Sequence, residues 1–193
     1  MSRIDPLQPP YEPEVAEQLR RMMPSGVAPI ALFRAFAKNL AMTRAMHPWG
    51  TYQLGRHFTL TLRDREIVID RTCARTGCEY EWGVHVAYFA GRAGLTDDQV
   101  ASITHGQPAD DCWPTARDRL LITTVDALHD TADVTDELWA DLSAAFAEPQ
   151  LLDLFLLVGW YHAVSYLARA TRLPLEPGAP TFASFSRVRP DFR

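Results

Sequence analysis

Residues Leu151–Ala168 are the most apolar stretch of the chain. A run this long must be buried, either in hydrocarbon or in a protein core. Asp153, His162 and Ser165 interrupt it, and Arg169 follows. A charge at the centre of a bilayer costs about 2.5–3.5 kcal/mol on insertion scales, and the stretch is at the short end for a span. It reads as the central helix of a soluble domain, with no membrane partner. What wraps it must also be helical. No segment alternates with period two between hairpin turns, and the nearest, Thr59–Leu62, is too short. Apolar residues recur instead at helical spacing, as in Ile30, Phe33, Phe36, Ala37, Leu40 and Ala41.

The punctuation between these segments gives the expected elements. A short helix covers Glu14–Met23, and Pro29 opens another that reaches about Met46 and breaks at His47-Pro48-Trp49-Gly50. Thr61 caps a helix over Leu62–Arg75, which Gly77 ends. The next starts at Cys78 or Glu79 and runs to Arg92. Thr96-Asp97-Asp98-Gln99 is a capping box. Pro114 opens a helix to His129, Thr135 caps Asp136–Ala147, and Pro149 begins the long apolar helix to Arg172. The predicted fold class is all-α, with about seven or eight helices. An N-terminal arm and short helix (1–27) precede the helical domain (28–175). A proline-bearing extended arm (176–193) follows it.

Composition narrows the function classes. At 47% hydrophobic, the 193-residue chain is an ordinary globular protein, and its length suits one domain. A net charge of −5 disfavours a nucleic-acid partner. Three cysteines suit a reducing compartment rather than a disulfide scaffold, and Met1–Pro10 lacks the apolar core of a signal peptide. The expected location is cytoplasmic.

Reactive side chains concentrate in Glu66, Cys73, Cys78, Glu79, Glu81 and His85. On a helix Cys78, Glu81 and His85 fall within roughly 60° of one another. Glu81 and His85 are an i,i+4 pair, and a carboxylate beside an imidazole favours the imidazolium. Cys78 near a helix N-terminus is placed where the dipole favours a thiolate. Glu66 reaches the same face if its helix packs antiparallel across the Gly77 turn. Each residue also has a bland reading: a solvated Glu–His surface pair, a packed small thiol, or a surface ion pair of Glu66 with Arg63 or Arg65. His162 reads either as a core histidine or as a residue facing Glu81 and His85. In the second case Glu66, Glu81, His85 and His162 would be a metal-ligand set. The spacing is not a strong metal pattern, and no metal is expected.

Arg63-Asp64-Arg65-Glu66-Ile67-Val68-Ile69, then Cys78-Glu79-Tyr80-Glu81-Trp82-Gly83-Val84-His85 and Gly94-Leu95-Thr96, resemble the carboxymuconolactone decarboxylase and AhpD-like alkylhydroperoxidase superfamily. Leu-Trp-Ala-Asp-Leu at 138–142 and Gly-Trp-Tyr-His at 159–162 add to the likeness, which spans roughly residues 28–175. The spacing Glu-x11-Cys-x2-[Cys]-x3-His of the peroxidase branch falls on Glu66, Cys78, Glu81 and His85. The resemblance implies an AhpD-like helical fold, a small-molecule substrate, no cofactor and a homo-oligomer (dimer, trimer or hexamer), whose neighbouring subunit the arms could wrap. The second cysteine of that branch is Glu81 here, and a carboxylate cannot close a disulfide. The non-redox branch, which includes a cofactor-free decarboxylase, suits these residues better. The resemblance thus implies catalytic roles for Glu66, Cys78, Glu81 and His85, with Tyr80, Trp82 and His162 as substrate-binding residues. Two further readings stand beside the acid/base lyase: a thiol peroxidase using Cys78, with Cys73 the nearest resolving candidate, and a non-catalytic helical oligomer.

Overall fold

The computed structural model describes residues 1–186. The end of the expected C-terminal arm, 187–193, lies outside the described residues. Among those described there are nine α-helices: α1 (Pro13–Met22), α2 (Ala31–Phe36), α3 (Leu40–Leu54), α4 (Leu62–Arg75), α5 (Glu79–His85), α6 (Asp97–His105), α7 (Ala116–Thr131), α8 (Asp136–Ala145) and α9 (Glu148–Thr171). A π-turn, Val86–Ala90, continues α5, and a 3-10 turn, Phe182–Phe185, lies in the C-terminal arm. The all-α expectation holds among the described residues.

The extra helix comes from the segment expected to be continuous from Pro29 to Met46. It breaks at Ala37–Asn39, where Lys38 and Asn39 bond three residues back to Ala35 and Phe36. The Asn39 side chain then accepts from the Met42 N–H and starts α3. The break expected at Pro48 does not occur, and α3 runs through it to Leu54. Proline removes one ladder bond. Tertiary contacts hold the far side: Tyr52 donates to Asp153 at 2.7 Å and packs against Trp49 and Phe58.

Two helices form the centre. α9 is long and apolar enough to cross a membrane, yet half of its most apolar stretch is buried inside the protein. It packs on α4, α5, α7 and α8. The other central helix is α4, every residue of which from Asp64 to Cys73 is buried. Most of its charged side chains are admitted because they are paired. Arg63 meets Asp118, Asp64 meets Arg117, Arg71 meets Asp126 and Arg75 meets Asp130, so a ladder of ion pairs joins α4 to α7. The Thr61–Asp64 capping box fixes the start of α4. Gly77, with φ +68°, turns the chain into α5.

Both arms lie on their own chain over the described residues. The Arg3 N–H donates to the Thr171 carbonyl, and the Leu7 N–H to Arg34. At the other end, Glu176 accepts from the Tyr80 hydroxyl and from the Ala31 N–H, both at 2.5 Å. The Phe182 N–H donates to Glu79, and Phe182 and Phe185 meet the Trp82 ring edge-on. Gly83 permits this approach, because a Cβ there would sit 2.6 Å from the Pro180 carbonyl oxygen.

Candidate functional site

The turn at Gly77 brings α5 back against α4, as antiparallel packing requires. His85, on the last turn of α5, reaches Glu66, on the second turn of α4. Its Nδ1 lies 2.8 Å from Glu66 Oε2. The other Glu66 oxygen accepts from Arg65 Nε at 2.8 Å. On the far side of the ring, His85 Nε2 is 3.0 Å from the Tyr161 hydroxyl and 3.5 Å from Glu81 Oε1. Glu66, Glu81, His85 and Tyr161 are all buried.

Burial alone opposes a charged imidazole. The Glu66 carboxylate, and then Glu81, outweigh it and hold the His85 pKa up at about 10. His85 is thus an imidazolium at neutral pH, with Nδ1–H committed to Glu66 and Nε2–H directed at Tyr161 and Glu81. The Tyr161 oxygen accepts from the imidazolium, which leaves its own O–H to donate onward. Burial first, and then Glu81 and Glu66, push the tyrosine well above its usual range and keep it a neutral phenol.

One turn along α4 from Glu66, Asp70 is fully buried with no partner on either carboxyl oxygen. Desolvation raises it well above the carboxylate range; Glu66 and Glu81 add to this and His85 opposes it. Asp70 is a neutral acid beside the charged cluster. The sequence reading missed it, although the i,i+4 spacing from Glu66 was the available signal.

Cys78 caps α5 rather than lying within it, and it has no exposed surface. The expected dipole effect does not prevail. Burial pushes the thiol up, while the backbone at Glu81, the Ser165 hydroxyl and the Arg169 charge pull the other way. Burial raises Cys73 still further. Both are thiols, not thiolates, at neutral pH.

Three expected positions stand elsewhere. His162 does not face Glu81 and His85. It bonds to His129 at 3.0 Å on another side of α9, and Tyr161 occupies the place expected of it. One residue along a helix is a rotation of 100°, which is the whole difference. The considered metal-ligand set of Glu66, Glu81, His85 and His162 is therefore not assembled. Tyr80 accepts from the Leu32 N–H and donates to Glu176, and Trp82 packs on Phe182 and Phe185. Both hold the C-terminal arm and do not line the His85 cluster.

The outward side of the cluster is covered by Phe89, half-buried, whose ring centroid is 5.3 Å from that of His85. Arg65 and the exposed Arg92 lie 5.4 and 5.5 Å from the Phe89 centroid. Two guanidinium groups thus flank the Phe89 ring, the buried one of Arg65 and the exposed one of Arg92.

The fold and the cluster define an all-α protein with buried carboxylate–histidine chemistry between two central helices. Comparison with known proteins makes this specific. Residues 42–124, a segment that includes Glu66, Cys78, Glu81 and His85, match the model of the carboxymuconolactone decarboxylase family. The all-α fold is shared with solved structures. The chain is similar to an uncharacterized peroxidase-related protein from Silicibacter sp. TM1040, with a TM-score of 0.77, 15% identity and 96% of each chain covered. A debrominase, Bmp8, in a cysteine-to-alanine form bound to 2,3,4-tribromopyrrole, has a TM-score of 0.75 at 14% identity, over 92% of this chain and 93% of that one. No curated protein matches the sequence.

Proposed function

We propose that the protein is a cofactor-free acid/base enzyme of the lyase type, acting on a small carboxylated or lactone substrate. The carrying observation is His85 held as an imidazolium between Glu66 and Glu81, with the neutral Tyr161 on its Nε2. In a decarboxylation the carbon–carbon bond to the carboxylate breaks and carbon dioxide leaves. The electron pair passes into a conjugated carbonyl, giving a dienolate. The dienolate carbon then needs one proton and its oxygen needs a hydrogen-bond donor. His85 supplies the proton and Tyr161 the donor, and Asp70 holds a further proton one helical turn away. Arg92, exposed beside Phe89, suits the approach of a substrate carboxylate. The chain is read as cytoplasmic. The exposed Leu152 and Leu156 on α9, with Trp139 on α8, support a homo-oligomer.

Incubation of the protein with carboxymuconolactone in deuterated water tests this. The expected result is carbon dioxide release with one deuteron in the product, abolished in His85→Gln. Lack of turnover by the wild type, or full turnover by the variant, overturns it.

A second reading, a thiol enzyme at Cys78, is favoured by the Ser165 hydroxyl within reach of both Cys78 and Cys73. It predicts peroxide consumption that disappears in Cys78→Ser and persists in Cys112→Ser. The raised, unexposed thiol and Glu81 at the second cysteine position weigh against it.

A further inference from the structure

A cavity of about 520 Å³ opens beside the C-terminal halves of α4, α7 and α9, and His85 is not part of its wall. Its walls include Arg75, His129, His162, Tyr166, Arg169 and Ala170. Its volume is in the range of small-molecule sites, about 300–1,000 Å³. The wall holds two arginines and two histidines, and no carboxylate.

The protonation pattern of the histidines follows from their partners. His162 Nδ1 is 2.9 Å from the Val158 carbonyl oxygen. A carbonyl can only accept, so Nδ1 carries the hydrogen and donates. In the neutral ring Nε2 is then the acceptor, and at 3.0 Å it takes the hydrogen of His129 Nδ1. The remaining nitrogen, His129 Nε2, has no hydrogen to give until it is protonated. Partial burial, then the Arg75 charge and the neighbouring His162, hold the His129 pKa down; Asp130 and Asp126 oppose them. A bound anion offsets these effects and favours a proton on His129 Nε2.

The arginines differ. Arg75 is already paired with Asp130 and Asp126. Arg169 donates to the Thr76 carbonyl and crosses Gly77, whose added Cβ would be 3.4 Å from the guanidinium carbon. No carboxylate among the described residues is in ion-pair reach of Arg169. Tyr166 and Ala170 supply an apolar side to the same space.

We infer that this cavity binds a small organic carboxylate, its anionic end on Arg169 and the His129–His162 pair and its apolar body against Tyr166. An anion beside the pair favours its protonated form, so binding takes up a proton. The inference does not depend on the acid/base reading of His85.

Calorimetric titration with benzoate, and separately with inorganic phosphate, tests it. Saturable benzoate binding is expected, tighter than phosphate, and strengthening as pH falls from about 7 to about 5, through the lowered His129 range. Arg169→Gln should weaken it at least about tenfold, the scale of losing one charge-assisted contact. Because Arg169 also ties the Gly77 turn, a second measurement uses the wild type alone. Benzoate should shift the imidazole resonances of His129 and His162 and leave those of His47 and His57 unmoved. His85→Gln should bind benzoate as the wild type does. Absence of saturable binding, tighter binding of phosphate, or unchanged resonances of His129 and His162 would each overturn the inference.

Discussion

Replacing Glu66 with glutamine isolates the interaction that charges His85. The substitution keeps the size of the side chain and an oxygen able to accept from Nδ1. It removes the carboxylate 2.8 Å from the ring and leaves Arg65 without its partner. Breaking a buried ion pair typically costs about 3–5 kcal/mol. At about 1.36 kcal/mol per tenfold change in proton affinity, this brings the His85 midpoint from about 10 down to about 6–8. The stability consequence follows by linkage. A histidine raised above its unfolded value of about 6.5 contributes its full stabilisation below that pH and loses it as pH rises through about 10. Wild-type stability should therefore decline from about pH 7 to about pH 10, and in Glu66→Gln the decline should finish near neutrality. The same variant should lose about 3–5 kcal/mol at pH 6, a large share of the roughly 5–15 kcal/mol of a typical domain. Urea denaturation across this pH range gives the stability, and the His85 ring resonance gives the midpoint directly. A His85 midpoint still near 10 in Glu66→Gln would refute the reasoning, because the charge would then arise elsewhere.

Two further predictions come from neighbouring positions. Asp70→Asn removes an acid whose folded-state proton affinity is raised, so it should stabilise the protein at pH 8 and have little effect near pH 4; equal effects at both pH values in urea melts would contradict a neutral Asp70. Gly83→Ala puts a Cβ 2.6 Å from the Pro180 carbonyl, which should cost about 1–3 kcal/mol and release the arm to proteolysis near Phe182, whereas an unchanged cleavage rate would mean that the arm is not held there.

How far the sequence carried this depended on whether the partner of a residue was near in the chain. Glu81 and His85 lie on one helix, and their joint face follows from helical spacing alone. Glu66 required one turn to be read correctly, and the glycine that makes the turn is visible at 77. The burial of α4 was not legible in the same way. Arg63-Asp64-Arg65-Glu66 looks like a surface segment, and it becomes a core segment only because partners such as Asp118, Arg117 and Asp126 lie 53–55 residues away on α7. Pro48 shows the same limit from the other side: a local helix breaker is overridden by contacts from Tyr52 to Asp153. Tyr161 and His162 could not be separated without the rotation of α9, and the more reactive residue type pointed to the wrong neighbour. No periodicity argument could have shown that the proline-bearing tail returns to α5, because the signal for it is a glycine at 83 and an aromatic pair near the chain end.

The π-turn at Val86–Ala90 bears on how this cluster can vary. A π-turn holds one residue more than the α-helical turn it replaces, so everything after it is rotated relative to His85. Phe89 lies inside that extra turn, and its ring contacts to His85, Arg65 and Arg92 depend on the rotation. Deleting a single residue from Val86–Ala90 would give a more regular helix and a different protein at the surface, with the imidazole unchanged below and its aromatic cover turned away. A change of one residue in the length of this segment would thus uncover the buried cluster without altering any of its ionisable groups.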